Sequence, residues 1–233
     1  MTRTELLAEL RGVIDDTKAP YAWSDTRLIL WLSEGQDKFC EQTGYWLDRT
    51  TYSITTILNQ ADYTLSDRII SVRSVWDGVN PLLDVSGGGV AVGSPRDFFG
   101  ETYQGAYYAS GEYPAGTLPS RPYRFRTDLE TGVISFLEPP LAGIVLKMRV
   151  HRRSKVALSA ALGQPEVPEQ FQLALAEYAA FKAFGDHDRE MQDPVKAGDH
   201  LKNFKAYVKD GARAYRRITG EYSDVVSNPL YVV

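Results

Sequence analysis

The sequence predicts an α+β fold: N-terminal and C-terminal helical hairpins packed as a helical bundle, with an inserted antiparallel β-meander or small sandwich that carries a long loop. Three observations predict it. Near both ends of the chain, apolar residues recur at three- and four-residue spacing, the period of an amphipathic helix. From about residue 50 to 153 the pattern changes to alternation and β-branched residues. Within that region, 86–121 is dense in Gly, Ser, Pro and Tyr and too long for a tight turn. The expected organisation is a helical core from 1–44 and 154–220, a β-domain from 45–153 with a loop excursion at 86–121, and an extended C-terminal tail at 221–233.

Thr2 and Glu5 have capping-box spacing, so a helix can begin at once. Leu6, Leu7, Leu10, Val13 and Ile14 give it an apolar stripe, and "KAPY" (18–21) breaks it. Ser24 precedes a second amphipathic run of Leu28, Ile29, Leu32, Phe39 and Cys40, closed by Gly44. Trp31 widens its apolar face. The short connection predicts an αα-hairpin.

"TTYSITTIL" (50–58) predicts a strand. "ADYTLSDRIISVRSVWDG" (61–78) predicts a bend and then a strand, with Ile70, Val72 and Val75 as core candidates. "NPLLDVS" (80–86) predicts a short return strand after a turn at Asp77–Gly78. Three strands follow around Tyr123–Arg126, Val133–Leu137 and Ile144–Arg152. Val145, Met148 and Val150 do not alternate cleanly, so this last strand is expected to be bulged or shifted in register. Five or six strands are expected in all.

Residues 154–166 read as a linker. Pro168 and Glu169 suit the first turn of a helix striped by Phe171, Ala174, Leu175, Tyr178, Phe181 and Phe184. A second stripe, Ala197, Leu201, Phe204, Val208, Ala212, Tyr215 and Ile218, belongs to a helix starting near Pro194. The two should pair antiparallel. Lys202, Lys205, Lys209, Arg213, Arg216 and Arg217 stud the second helix, as a solvated face or as a patch toward an acidic partner or a DNA backbone.

The chain has 233 residues, 43% hydrophobic and 24% charged, with a net charge of −4. Such a balance is ordinary for a globular protein and argues against a general nucleic-acid binder. The one cysteine, Cys40, excludes an intrachain disulfide and falls at a core position. "MTRTELLAEL" has no apolar core of signal-peptide length, and no apolar run is long enough to span a bilayer, so no membrane partner is expected. Many of the 14 tyrosines fall in glycine-rich loops, where tyrosine usually supplies contact surface.

Candidate chemistry centres on "FGDHDRE" (184–190) and "GDH" (198–200), where His187 and His200 stand amid acidic residues. The spacing lacks the helical His–Glu–His signature of zinc hydrolases. It also lacks the Gly and closing Glu of a calcium loop. The plainer reading is a solvated turn between helices, with Asp193 capping the next helix ahead of Pro194. "SGGGVAVG" matches neither a P-loop nor a dinucleotide loop, and no nucleophile elbow is present. No catalytic residue, metal or cofactor is therefore expected. A metal-dependent hydrolase using His187 and His200 is the alternative, and a carbohydrate-binding module using the tyrosine-rich loop is a third reading.

Four stretches carry a family resemblance. "SDTRLILWLSEGQDKFCEQTGYW" (24–46) followed by "ADYTLSDRIISVRSVW" (61–76) resembles the opening of the tailed-phage adaptor, or head-to-tail connector, proteins. "GVISFLEPPLAGIVLKMRVHRR" (132–153) is similar to their strand, proline break and second strand. "VPEQFQLALAEYAAFKAFGDHDREMQDPVKAGDHLKNFKAYVKD" (167–210) resembles their closing hairpin most closely. The excursion at 86–121 has no counterpart in it.

The resemblance implies a non-enzymatic virion protein of the neck. It implies a homo-oligomeric ring, commonly of twelve copies, docked under the portal protein. Such a ring extends the channel for double-stranded DNA, which passes without sequence-specific binding, and offers a platform to a tail or nozzle protein. On this reading the apolar tail end, Tyr222, Asn228, Pro229, Leu230, Tyr231, Val232 and Val233, meets the portal or a neighbouring copy. The loop aromatics Phe98, Phe99, Tyr103, Tyr107, Tyr108 and Tyr113 meet the tail or a neighbour.

Overall fold

The structure is a computed structural model that describes residues 1–78, 80–86, 121–138, 140–155, 157–158, 164–186 and 192–219. The chain divides into two compact units, Met1–Tyr45 with Arg153–Val233, and Trp46–Arg152. No helix among the described residues is long and apolar enough to cross a membrane.

The first unit is helical. α1 (Arg3–Val13) opens with the full capping box: the Thr2 hydroxyl accepts from the Glu5 N–H, and the Glu5 carboxylate accepts from the Thr2 N–H. α2 (Asp25–Thr43) starts on the Ser24 side chain and ends at Gly44, whose φ of 60° is the left-handed conformation a glycine adopts without strain. A single 3-10 turn (Glu169–Phe171) after Pro168 leads into α3 (Leu173–Gly185). α4 (Pro194–Thr219) closes the described part of the unit.

α3 is the central helix, packing against α1, α2 and α4. Its composition explains why. Ala174, Ala176, Ala179, Ala180 and Ala183 are all buried, and their small side chains let three helices approach one axis. Around them lie Leu6, Leu10, Ile14, Trp23, Leu28, Trp31, Leu32, Phe39, Leu175 and Phe204. Each large side chain buried this way contributes about 1.5–3 kcal/mol of transfer free energy. The close approach of α2 and α3 is visible at Gly35, where an added Cβ would lie 3.1 Å from Tyr178 Cβ.

The connection between α1 and α2 is held by charge. The buried Arg11 guanidinium donates to the Asp16 carboxylate at 2.7 Å, to the Trp23 carbonyl at 3.1 Å and to Asp25. Asp16 in turn accepts from the Ala22 and Trp23 N–H groups. One side chain thus ties the end of α1 to the start of α2.

The second unit holds two four-stranded sheets around one core. In the first, β8 (Val145–Arg152) is central: β4 (Ile69–Trp76) pairs along one side, β1 (Leu47–Asp48) and β2 (Ser53–Thr55) along the other, all antiparallel. The second sheet runs β3 (Asp62–Thr64), β7 (Val133–Phe136), β6 (Arg124–Asp128) and β5 (Leu83–Asp84). Ile54, Tyr63, Val72, Val75, Phe125, Ile134, Phe136, Leu146, Met148 and Val150 interdigitate between them.

Several strand expectations are corrected. The stretch 50–58 contributes only Ser53–Thr55, because the chain turns into β8's edge twice, at β1 and again at β2. Among the described residues eight strands, several of only two or three residues, replace five or six. The return strand at 80–86 is only Leu83–Asp84 and pairs in parallel with β6, so the sheets are not wholly antiparallel. The irregularity expected in the last strand lies in its partner. β8 alternates regularly, with Leu146, Met148 and Val150 inward and Val145 exposed, whereas β4 carries register shifts at Ile69/Ser71 and Val72/Ser74. Ile70 sits beside the first shift and is only half-buried. The two N-terminal helices bear mainly on α3 rather than on each other.

Candidate functional site

The α3–α4 turn is built from Asp193. Its carboxylate accepts from the Val195 and Lys196 N–H groups, both at 3.1 Å, and its own N–H donates to the Phe184 carbonyl at 3.0 Å. Asp193 therefore caps α4 ahead of Pro194, whose missing N–H costs nothing in a first turn.

His200 is absorbed into the hairpin. Its Nδ1 lies 2.7 Å from the Glu177 carboxylate across the α3–α4 interface, and Asn203 donates to the same oxygen at 3.2 Å. The imidazole stacks on Phe184 with centroids 5.5 Å apart and planes 5° from parallel, and the Lys196 ammonium sits 5.3 Å from the centroid of that phenyl ring. These contacts clamp one helix to the other. Among the described residues no group of three or more His, Cys, Asp or Glu is placed to hold a metal ion. His187 lies outside the described residues.

His151 is buried in β8. Arg73 Nε donates to its Nε2 at 2.7 Å, so that nitrogen is an acceptor and the proton of the neutral ring is on Nδ1. Arg152, also buried, bonds the Asp48 carboxylate at 3.1 Å and lies over the Trp46 ring at 5.6 Å. Asp48 further accepts from the Thr50 and Thr51 N–H groups and the Thr51 hydroxyl. Glu138 plays a similar part at the start of β6, accepting from the Tyr123 and Arg124 N–H groups and the Arg124 guanidinium. Sequence reading missed these pairs because nothing near either partner marks the other.

Lys38 and Asp128 are shifted from their ordinary ranges by local hydrogen bonds. The Glu41 carboxylate, bonded at 2.7 Å, holds the Lys38 ammonium protonated to higher pH than a free lysine. Hydrogen bonds from Thr131, and then from the Glu130 N–H, keep Asp128 ionised below the usual aspartate range.

The outer face of α4 is the other feature singled out by the sequence. Ala197, Phe204, Gly211 and Tyr215 are buried on one side. Lys202, Lys205, Lys209, Arg213, Arg216 and Arg217 are all exposed on the opposite side. The tail residues Tyr222 and Asn228 to Val233, and the loop aromatics Phe98, Phe99, Tyr103, Tyr107, Tyr108 and Tyr113, lie outside the described residues. Cys40 is buried in α2.

The geometry thus offers a helical clamp, buried ion pairs and a cationic helix face. No curated protein matches the chain. The family model described as the SU10 adaptor protein matches residues 1–228. That match spans both helical hairpins and the intervening sheets, and with it the chain belongs to the SU10 adaptor protein family, structural head-to-tail connectors of tailed phages.

Proposed function

We propose that this chain assembles as a ring in the virion neck, in twelve copies as the family resemblance implies. It docks under the portal protein, extends the channel for double-stranded DNA and presents a platform to a tail or nozzle protein. The family match over 1–228 carries this reading. The occupation of His200 by Glu177 and Phe184 supports a structural rather than a hydrolytic use of that histidine. Within the ring, Tyr222 and Asn228 to Val233 are assigned to the portal or a neighbouring copy. Phe98, Phe99, Tyr103, Tyr107, Tyr108 and Tyr113 are assigned to the tail or a neighbour.

Negative-stain imaging of the chain mixed with its portal tests the reading: a ring stacked on the portal is expected. Deleting Asn228–Val233 should leave a folded protein that no longer joins the portal. Absence of any ring on the portal would overturn the adaptor assignment. Full co-assembly of the truncated chain would overturn the role given to the tail.

A further inference from the structure

We infer that α4 is the cationic half of a contact between neighbouring copies, its outer face docking on an acidic surface of the next chain. This rests on the ring reading above. The first observation is the charge distribution. α4 carries seven Lys and Arg against Asp199 and Asp210, a net +5, in a chain of net −4, so the other 207 residues carry −9. The second is placement. Lys202, Lys205, Lys209, Arg213 and Arg216 follow one another at steps of three, four, four and three residues and are exposed, opposite the buried Phe204, Gly211 and Tyr215. At 100° and 1.5 Å per residue they form a stripe about 21 Å long within an arc of roughly 80°. Arg213 pairs with Asp210 at 3.2 Å, but both side chains are more than half exposed, and such a pair holds little in water.

Symmetry decides what the stripe can meet. A stripe lying on a twofold axis would face its own copy, +5 against +5, whereas away from an axis it meets a different surface of the other chain. A head-to-tail contact sets the stripe of one copy against the acidic remainder of the next. Segregated charge therefore disfavours stripe-on-stripe pairing and favours the stripe-on-acid contact that a ring repeats, an attraction that must exceed the long-range repulsion between identical chains of net −4. A duplex DNA partner fits less well. A band of such stripes around a channel would bind phosphates through counterion release and hold the DNA it must let pass.

Light scattering on the full chain tests this through the sign of the second virial coefficient. In wild type, attraction is expected at about 10 mM salt and should fade by about 300 mM, where screening shortens the Debye length severalfold. The triple variant Lys202→Glu, Lys205→Glu, Lys209→Glu, with its helix content checked by circular dichroism, should repel at low salt. Low-salt repulsion in wild type, or unchanged attraction in the folded variant, would overturn the inference. Retardation of duplex DNA by wild type but not by the variant, without self-attraction, would give the stripe to DNA and also overturn it. Persistent low-salt attraction in a chain that forms no ring on the portal would sink the ring reading while leaving the charge pairing in place.

Discussion

Phe39 and Gly211 meet where α2 packs on α4: a Cβ added to Gly211 would come within 2.6 Å of Phe39 Cζ and 3.1 Å of Thr43 Cγ2. The Phe39 ring is fully buried and tilted against Phe171 at 5.6 Å, so it has little room to yield.

Gly211→Ala should therefore destabilise the protein by about 1–3 kcal/mol through overpacking, although alanine is the better helix former. Gly198→Ala, in the same helix with nothing within 4 Å of the new Cβ, should instead stabilise it. Urea denaturation of both variants checks the pair. A stabilised Gly211→Ala would mean the helices can shift apart freely. Phe39→Leu should recover part of the Gly211→Ala loss, a non-additivity that a double-mutant cycle measures.

Asp48→Ala removes the carboxylate beside the buried Arg152 and the acceptor for Thr50 and Thr51. The expected loss is about 3–5 kcal/mol, because a buried charge loses its counter-ion. Denaturant midpoints read it, and added salt should change the loss little. A loss below about 1 kcal/mol would place this pair with ordinary surface bridges.

His200→Ala breaks the bond to Glu177 and the stack on Phe184. A melting temperature lower by a few degrees is expected, corresponding to roughly 1–2 kcal/mol in a chain of this size. Chelator should leave the wild-type melting temperature unchanged. A stoichiometric transition metal in the purified protein, lost in His200→Ala, would instead favour the hydrolase.

Asp128 supplies a pH prediction whose sign follows from its depressed pKa. The folded state favours the carboxylate more than the unfolded chain does. Its contribution is present above the ordinary aspartate range and is lost as pH falls through the lower folded value. Thr131→Val removes the hydroxyl, the largest cause, so the Asp128 carboxyl carbon should titrate at higher pH in the variant. An NMR titration that shows no upward movement would reject Thr131 as the cause.

The legible parts of this protein were those whose signals are close in sequence. Thr2 with Glu5, Ser24 with Gly44, and Asp193 with Pro194 marked helix ends that the structure reproduces. The stripes through Leu6, Leu28, Phe171 and Phe204 identified buried faces, although Val13 is exposed and Leu7, Tyr178, Phe181, Leu201, Val208 and Ala212 are only half-buried. The β-region was less legible. Strands of two or three residues are too short to show alternation, so β1, β3 and β5 left no clear period. Nothing local marks the role of His200, because its partner Glu177 stands 23 residues away on another helix.

The sequence by itself determined the helices, their caps, the absence of a recognisable catalytic motif and the family resemblance that the match over 1–228 bears out. These follow from interactions within one or two helical turns and from local residue patterns. Only the tertiary structure decided that α3 is the shared axis of the helical unit, that β8 is flanked by β4 on one side and β1 and β2 on the other, and that Asp48 belongs to Arg152 across 104 residues. The physical reason is range. Caps and stripes act between neighbours in the chain, whereas strand pairing, close helix crossings and buried ion pairs depend on side chains that meet only after the chain has folded.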